Sequence, residues 1–347
     1  MNAQPASLAF ELPEPLAVTP RQPRLGFLGV GWIGRQRMQA LSDSGVATVA
    51  AIADPFAEAL DAAAACAPDA ARETSLEALL EHDLDGVVIA TPSGAHAQQA
   101  IAALERGIAV FCQKPLTRTA EEAERVIAAA ERADCLVDAD FSYRHVAGMS
   151  QLREHIRGGA LGDLFAIDLV FHNAYGPDKP WFYDVAQSGG GCVMDLGIHL
   201  VDLAQWVCGD QVDGDVDAHL YAHGRPLARP ACVIEDYASA QWRLRSGALV
   251  RMSCSWRLSA GCDAVIEAAF YGSRGGAAMR NVDGSFYDFT VDLFDGTSRK
   301  RLASPPDAWG GRALVSWAER LASGAGFEPA SRQLIDVARV VDTIYGR

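Results

Sequence analysis

Lysine is scarce in this 347-residue sequence: of its 30 lysines and arginines, only Lys114, Lys179 and Lys300 are lysine. Positive charge as a whole is also in deficit, because the formal net charge is −14 at pH 7. A protein this acidic is not expected to bind nucleic acid or an anionic membrane surface. Against this background, a lysine that ends an apolar strand, as in "FCQKPL", needs a chemical explanation.

Cysteine pairs and long apolar runs are missing too. The 8 cysteines are scattered without any C-x-x-C pair, which predicts reduced thiols rather than disulfides or a metal site. No apolar run is expected to approach the roughly 18–20 residues that cross a bilayer. The segment before Arg24 lacks the basic start of a secretory signal. These absences predict a cytoplasmic protein with neither a metal nor a membrane partner.

Strand and helix patterns alternate from Arg24 to about residue 141, and the strands are short runs of Val, Ile and Ala. This rhythm predicts an α/β fold that begins with a Rossmann domain, a doubly wound parallel sheet covered on both faces. Longer alternating strands follow and predict an α+β domain with a large, mostly antiparallel open sheet.

Four segments are predicted from this pattern. They are an N-terminal arm over 1–22, flexible or lying along a partner subunit; a dinucleotide-binding domain over 23–143; a substrate-binding and oligomerisation domain over 144–330; and a C-terminal helix over 331–347 that packs back on the first domain.

The glycine-rich segment "GFLGVGWIG" lies between the first strand and the first helix. Gly29, Gly31 and Gly34 form G-x-G-x-x-G, in which the glycines permit a tight turn, a close approach of pyrophosphate and close helix–strand packing. Glycines often only make turns, but the strand and the helix fall where a dinucleotide site needs them. The predicted cofactor-binding residues here also include Trp32 and Ile33.

Asp54 ends the second strand, where an acidic residue accepts hydrogen bonds from the adenosine ribose. Its carboxylate would repel a 2′-phosphate, and the following Pro55 and Phe56 supply no arginine to receive one. NAD is therefore favoured over NADP as the cofactor.

Two further strands end in "ATPSGAH" and "FCQKPL". Both ends are expected at the carboxyl edge of the sheet, where open α/β sheets bind ligands. Thr91, Pro92 and Ser93 are predicted to pass under the nicotinamide. His96 is predicted nearby, with a helix-surface histidine as the alternative. Lys114 is predicted to hydrogen-bond a substrate hydroxyl and favour its alkoxide; a solvated lysine that starts a loop is the alternative.

The segment "GGGCVMDLGIHLVDLAQW" is predicted to form a mostly apolar helix. Asp195, His199 and Asp202 are spaced at i, i+4 and i+7 and share one face of that helix. Such a polar stripe is costly to bury unless it is paired or used. A satisfied polar network is one interpretation. The functional one makes His199 a proton acceptor, with Asp195 orienting it or holding a substrate hydroxyl.

The loop "HNAYGPDKPWFYD" over 172–184 precedes this helix and combines aromatic faces with hydrogen-bonding groups. Such a mixture suits a polyhydroxylated ring. Tyr175 and Trp181 are predicted to bind substrate together with Lys114, Asp195 and His199, although some of these aromatics are equally explained as core residues.

The sequence resembles the Gfo/Idh/MocA family of sugar and cyclitol oxidoreductases, typified by glucose–fructose oxidoreductase and inositol dehydrogenase. The resemblance spans Arg24 to the C-terminus and rests on "GFLGVGWIG", "AIADP", "IATPSGAH", "QKPL", "FSYRH" and "GGGCVMDLGIHLVD", in the family's order. It implies a Rossmann domain and a second domain whose open sheet commonly forms the dimer contact, so a homodimer or homotetramer is expected. It also implies a catalytic set of Lys114, Asp195 and His199.

One position departs from the family pattern, which usually has Glu where this chain has Gln113. The resemblance implies that this position meets the nicotinamide-side ribose. An amide still forms hydrogen bonds there, so Gln113 and Lys114 join the predicted cofactor-binding residues, and function is expected to survive the change.

The predicted function is therefore an NAD-dependent oxidoreductase that transfers a hydride between nicotinamide and a secondary alcohol or ketone of a sugar, amino sugar or cyclitol. Lys114 polarises the hydroxyl and His199 removes its proton. Two alternatives stay open: a redox-neutral glycosidase that keeps its NAD, and a non-catalytic sugar- or dinucleotide-sensing regulator, which would not need the proton-transfer residues.

Overall fold

The computed structural model describes residues 22–347, and its first half is a six-stranded sheet in the order β3-β2-β1-β4-β5-β6, with every pair parallel. The chain runs outward from β1 in one direction and resumes on its other side at β4. The carboxyl ends of β1 and β4 therefore meet at a topological switch point. The strands are β1 (Arg24–Leu28), β2 (Thr48–Ala53), β3 (Ala71–Glu73), β4 (Gly86–Ile89), β5 (Ala109–Cys112) and β6 (Val137–Ala139).

Helices cover both faces of this sheet, which explains why β4 and β5 are buried throughout their length and β1 is buried after Arg24. They are α1 (Trp32–Ser44), α2 (Ala57–Ala63), α3 (Leu76–Leu79), α4 (Ser93–Leu104) and α5 (Ala120–Ala133). A late helix, α9 (Arg312–Ala322), returns to the same sheet, where Trp317 is fully buried with its ring 5.7 Å from that of Phe111.

The second sheet has nine strands in the order β15-β14-β13-β12-β7-β11-β10-β8-β9, and β7 with β11 is its parallel pair. The inward side chains of its central strand β7 are buried, whereas those between them are half-buried on the opposite, open face. The strands are β7 (Leu164–Asn173), β8 (Val212–Ala222), β9 (Arg225–Pro226), β10 (Tyr237–Leu244), β11 (Leu249–Ser255), β12 (Ala264–Gly272), β13 (Gly276–Asn281), β14 (Phe289–Asp295) and β15 (Ser298–Ala303).

The remaining helices join the two sheets. They are α6 (Met149–Arg157), α7 (Val185–Ser188), α8 (Ile198–Cys208) and α10 (Gln333–Tyr345), with short 3₁₀ turns at Ser142–His145, Pro180–Tyr183 and Pro329–Arg332. α8 lies on the inner face of the nine-stranded sheet, and α10 packs against α5, α8 and β8.

One segment of the described chain, Val185–Cys208, is long and apolar enough to span a membrane by length and composition alone. This corrects the expectation that no apolar run reaches that length. Because 83% of its most apolar window is buried within the protein, burial in the core accounts for its hydropathy.

The predicted fold class is confirmed in both halves: a doubly wound parallel sheet is followed by a large, mostly antiparallel one. The predicted N-terminal arm lies outside the described residues apart from Gln22. The boundaries predicted at 143/144 and 330/331 stay a prediction.

Candidate active site

The glycine-rich turn between β1 and α1 meets the end of β4. Gly29 has φ +83°, and a Cβ at Gly29 would lie 2.6 Å from the Ala90 carbonyl oxygen. A Cβ at Gly34 would lie 2.2 Å from the carbonyl oxygen of Gly29, so both positions exclude a side chain. Gly31 faces open space and caps α1 without a side-chain hydrogen bond. The N-terminal amides of α1, beside Trp32 and Ile33, are therefore a candidate site for a pyrophosphate group.

Asp54 connects this turn to the end of β2. One of its carboxylate oxygens accepts a hydrogen bond from the Val30 amide at 3.0 Å, and the other accepts one from the Phe56 amide at 3.0 Å. Asp54 is buried, whereas the side chain of Phe56 beside it is 72% exposed. The acidic residue thus lies at the mouth of the glycine turn, as the dinucleotide pattern requires.

His96, on α4, ties two strand ends together. Its Nδ1 lies 2.8 Å from the Pro115 carbonyl oxygen and its Nε2 lies 2.8 Å from the Thr91 carbonyl oxygen. The side chain is 1% exposed, which contradicts the alternative of a helix-surface histidine. Burial lowers the pKa of His96. His96 lies between the loops that carry Thr91 and Lys114, and its neutral ring donates a hydrogen bond to one of the two carbonyl oxygens at a time.

The other residues of the "ATPSGAH" loop lie at the start of α4. Thr91 donates a hydrogen bond to Gln99 over 2.6 Å, Pro92 precedes the first turn of α4, and Ser93 is buried. This loop follows β4 directly, next to the glycine turn at the switch point.

Gln113 is buried and donates its side-chain amide to Asp140. Asp140 is 1% exposed and is also paired with Arg37, whose Nε lies 2.5 Å from the same carboxylate oxygen. The second oxygen of Asp140 accepts a hydrogen bond from Ser142. Gln113 is thus part of a buried network that links β5, β6 and α1.

Lys114 forms a polar contact between the two halves of the molecule. Its Nζ lies 2.7 Å from Oδ1 of Asp195 and 2.6 Å from the backbone oxygen of Asp195. The other carboxylate oxygen of Asp195 accepts a hydrogen bond from the indole of Trp256 at 3.0 Å. The alternative of a solvated lysine is therefore wrong, because the ammonium group is held by a carboxylate 81 residues away.

The predicted regular helix begins with an irregular turn. Residues Val193–Gly197 form a single π-helical turn, and α8 follows from Ile198. Asp195 lies inside the π turn, a feature that is frequent at functional sites. Its carboxylate is directed to Lys114 and Trp256.

His199 lies in a box of aromatic rings. The centroids of Tyr143, Phe141 and Phe171 are 4.9, 6.1 and 6.4 Å from the imidazole centroid. His199 is 8% exposed, and within residues 22–347 its Nδ1 has no hydrogen-bond partner. Burial first, and then the cations Lys114 and Arg37, hold the pKa of His199 well below its ordinary 6.5. The imidazole is therefore neutral at pH 7 and able to accept a proton.

Asp202 is engaged elsewhere. It is 1% exposed and forms a bidentate ion pair with Arg144 of the "FSYRH" segment. For Asp202, the interpretation as part of a satisfied polar network therefore holds. Arg144 has a structural role in this ion pair. Of the three stripe residues, Asp195 and His199 remain candidates for a role in a reaction.

The comparisons with known proteins agree with this geometry. Residues 24–141 match the family model described as "Oxidoreductase family, NAD-binding Rossmann fold", and residues 149–278 match the GFO/IDH/MocA C-terminal domain. Inositol 2-dehydrogenase 4 of Saccharopolyspora erythraea is 30% identical over 71% of this chain and 72% of its own length. The chain belongs to the GFO/IDH/MocA oxidoreductase family.

Two further similarities support membership of the GFO/IDH/MocA family. The rhizopine catabolism protein MocA of Rhizobium meliloti is 32% identical over 54% of this chain, and the match spans 58% of that relative's length. A crystal structure of an oxidoreductase domain protein from Kribbella flavida covers 94% of this chain and 97% of its own, with a TM-score of 0.81 and 26% identity.

The predicted substrate loop of this GFO/IDH/MocA protein lies beside Trp256. Tyr175 is 52% exposed and its hydroxyl donates to Asp263, while Trp181 stacks on Phe182 with ring centroids 3.8 Å apart. A cavity of about 680 Å³ opens next to this loop and is lined by Tyr183, Asp184, Val185, His223, Cys232, Val233, Ile234, Asp236, Trp256 and Arg257.

Sequence reasoning missed three residues of the site. Trp256, which binds Asp195, follows β11, and Asp140, which binds Gln113, follows β6; both are polar or amphipathic residues next to strand ends. Tyr143, which contacts His199, lies within the quoted "FSYRH" motif. No local spacing connects any of them to its partner.

Proposed function

We propose that this protein is an NAD-dependent dehydrogenase that oxidises a secondary alcohol of a sugar, amino sugar or cyclitol, or reduces the corresponding ketone. The observation that carries the proposal is the contact of Lys114 with Asp195 at the carboxyl edge of the Rossmann sheet. It brings an ammonium group from the dinucleotide-binding half to the helix that carries His199 in the other half.

In the proposed reaction, side chains of this chain transfer the hydroxyl proton. A bound nicotinamide supplies the hydride acceptor at this edge of the sheet. Lys114 donates a hydrogen bond to the substrate oxygen and favours its alkoxide form, and Asp195 keeps the ammonium in place. His199, neutral because its pKa is lowered, accepts the hydroxyl proton; in the reverse direction the protonated imidazole returns it.

NAD is proposed over NADP because Asp54 lies at the mouth of the glycine turn. The residues proposed to hold the cofactor are Gly29, Gly31, Trp32, Ile33, Gly34, Asp54, Thr91, Pro92, Ser93, His96, Gln113 and Lys114. His96 and Gln113 would act through the loops they brace, since both side chains are buried and hydrogen-bonded to the protein.

The proposed substrate is a polyhydroxylated ring. The names of the relatives, an inositol dehydrogenase among them, support this class. Tyr175 and Trp181 are proposed to contact the ring along with Lys114, Asp195 and His199, because exposed aromatic faces and hydroxyl groups suit a sugar. A cytoplasmic location and assembly into a homodimer or homotetramer through the open face of the nine-stranded sheet complete the proposal.

The test follows NADH and NADPH absorbance while the protein meets a panel of cyclitols, aldoses and amino sugars with each oxidised cofactor. Lys114→Ala is expected to abolish turnover and to retain NAD binding, because it removes the group that polarises the hydroxyl. Lys300→Ala, an exposed lysine on the edge strand β15, is the matched control and is expected to keep wild-type turnover.

Equal turnover of Lys114→Ala and the wild type would overturn the assignment of Lys114. Absence of net cofactor turnover, with NAD still bound, would favour the glycosidase or the sensor. Mutation of His199 separates those two, since only the glycosidase needs a proton acceptor.

A further inference from the structure

A buried carboxylate and a buried tyrosine clamp the start of the helix that carries Asp195. Glu235, just before β10, is 0% exposed, and Tyr345, at the end of α10, is 1% exposed. The carboxylate of Glu235 accepts hydrogen bonds from the amides of Gly191 at 3.0 Å and Val193 at 2.9 Å, and from the hydroxyl of Tyr345 at 2.8 Å.

The clamp continues over the neighbouring amides. The amide of Cys192 donates to the backbone oxygen of Glu235 at 3.1 Å, and the amide of Met194 donates to the hydroxyl of Tyr345 at 3.2 Å. Four consecutive amides, 191 to 194, are thus held by two residues that are 110 positions apart. The next residue is Asp195.

The glycines before the π turn fit the clamp closely. A Cβ at Gly190 would lie 2.1 Å from the Tyr345 hydroxyl, and a Cβ at Gly191 would lie 2.0 Å from the Glu235 backbone oxygen. These two glycines are therefore required by the protein's own packing.

Keeping the carboxylate of Glu235 ionised at this buried position costs free energy. No salt bridge to Glu235 occurs within residues 22–347, and burial raises the pKa of its carboxyl, although the hydrogen bonds from Val193 and Tyr345 oppose that shift. A buried carboxylate without a cationic partner is destabilising unless hydrogen bonds compensate for it. Here the donors are the free amides of a helix N-terminus, which favours negative charge.

We propose that Glu235 and Tyr345 are positioning residues for the reaction: they set the register of the π turn and thereby hold the Asp195 carboxylate against Lys114. The inference rests on the proposed function, because it assigns these two residues to the same Lys114–Asp195 site. It explains why this helix begins with a π turn instead of an ordinary α-helical turn.

The test compares Glu235→Gln and Tyr345→Phe with Asp342→Asn. Asp342 is a matched control on α10, since its carboxylate caps the N-terminus of α5 by accepting from the Ala120 amide at 2.7 Å. A positioning role predicts that kcat falls about 10- to 100-fold in Glu235→Gln and less in Tyr345→Phe, with the NAD dissociation constant within about 2-fold of wild type. Asp342→Asn is expected to lower the melting temperature and leave kcat unchanged.

A second measurement does not depend on turnover. The chain has three lysines, so the acylation rate of Lys114 is read by mass spectrometry against Lys179 and Lys300 as internal references. If the clamp positions Asp195, Glu235→Gln and Tyr345→Phe raise the acylation of Lys114 relative to both references, and Asp342→Asn does not.

The outcomes are distinct. Unchanged kcat and unchanged Lys114 acylation in a folded Tyr345→Phe protein would overturn the inference, even if Glu235→Gln fails to fold. Wild-type protein that is silent on every substrate would count against the proposed dehydrogenase function, while the acylation ratios would still decide for or against the clamp.

Discussion

At the scale of single residues, the contacts of Gln113 give a physical reason why this chain has Gln where the family usually has Glu. Its amide donates to Asp140, and that carboxylate already accepts from Arg37 and Ser142. A carboxylate at position 113 would instead face a buried carboxylate. The donor capacity of the amide is therefore what this network uses.

Gln113→Glu is expected to lower the free energy of unfolding at pH 7 by about 1–3 kcal/mol, because a buried hydrogen bond is replaced by repulsion of like charges. Proximity of the two carboxylates raises a folded-state pKa, so the loss shrinks as the pH is lowered toward about 4. Denaturant unfolding at several pH values measures this. Adding Asp140→Asn should restore stability; a Gln113→Glu protein as stable as wild type at pH 7 would contradict the account.

His199 carries a pH prediction with a definite sign. Its folded-state pKa lies below the ordinary 6.5, through burial first and Lys114 second, so the unfolded chain binds more protons below pH 6.5. Stability contributed by neutral His199 is thus present above pH 6.5 and is lost as the pH falls toward the folded-state pKa. The acid limb of kcat/KM for alcohol oxidation should likewise lie below pH 6.5.

A histidine NMR titration tests the cause. Lys114→Met removes the nearby cation and should move the pKa of His199 upward, whereas Lys300→Met should leave it in place. A His199 pKa at or above 6.5 in the wild type would contradict the lowered pKa, and a pKa above about 7 would contradict the proposal that a neutral imidazole accepts the proton at pH 7.

At the scale of elements, α4 acts as a brace through His96, whose two ring nitrogens contact the loops after β4 and β5. His96→Leu is expected to cost about 1–3 kcal/mol of stability and to raise the KM for NAD, because both loops border the dinucleotide site. His155→Leu, at a half-buried position of α6, is the control. Thermal unfolding and cofactor titration measure the two effects; an unchanged KM with lowered stability would limit His96 to a structural role.

The helix of Asp195 marks how far the sequence predicts the site. Apolar strand runs predict buried parallel strands well, so the glycine turn, Asp54 and Lys114 were expected at one sheet edge and lie there. The π turn at 193–197 was not predicted, because the i, i+4, i+7 spacing assumes a regular α-helix with 3.6 residues per turn. The spacing also grouped Asp202 with Asp195 and His199, whereas the carboxylate of Asp202 is bound by Arg144. Contacts such as Glu235 with Tyr345 leave no local pattern at all.

At the scale of the whole molecule, no helix of the described residues 22–347 covers one broad face of the nine-stranded sheet. On its central strand β7, Leu169 and Phe171 point into the core, so Val170 lies on the open face. Val170 is flanked there by Ser253 on β11 and by Glu267 on β12. A face of this breadth, with half-buried apolar and ion-paired side chains, suits a self-complementary contact of standard size.

Val170→Arg is therefore expected to dissociate the proposed oligomer, because symmetry would place two additional guanidinium groups near the centre of the interface, where burial of charge is costly. Analytical ultracentrifugation measures the mass, and circular dichroism checks that the sheet persists. Gln36→Arg adds the same charge on an exposed position of α1 and should leave the oligomer intact.

A wild-type protein that sediments as a monomer, or a Val170→Arg variant that stays assembled, would contradict assembly through this face. Since Lys114, Asp195 and His199 all come from one chain, the dissociated variant should retain NAD binding.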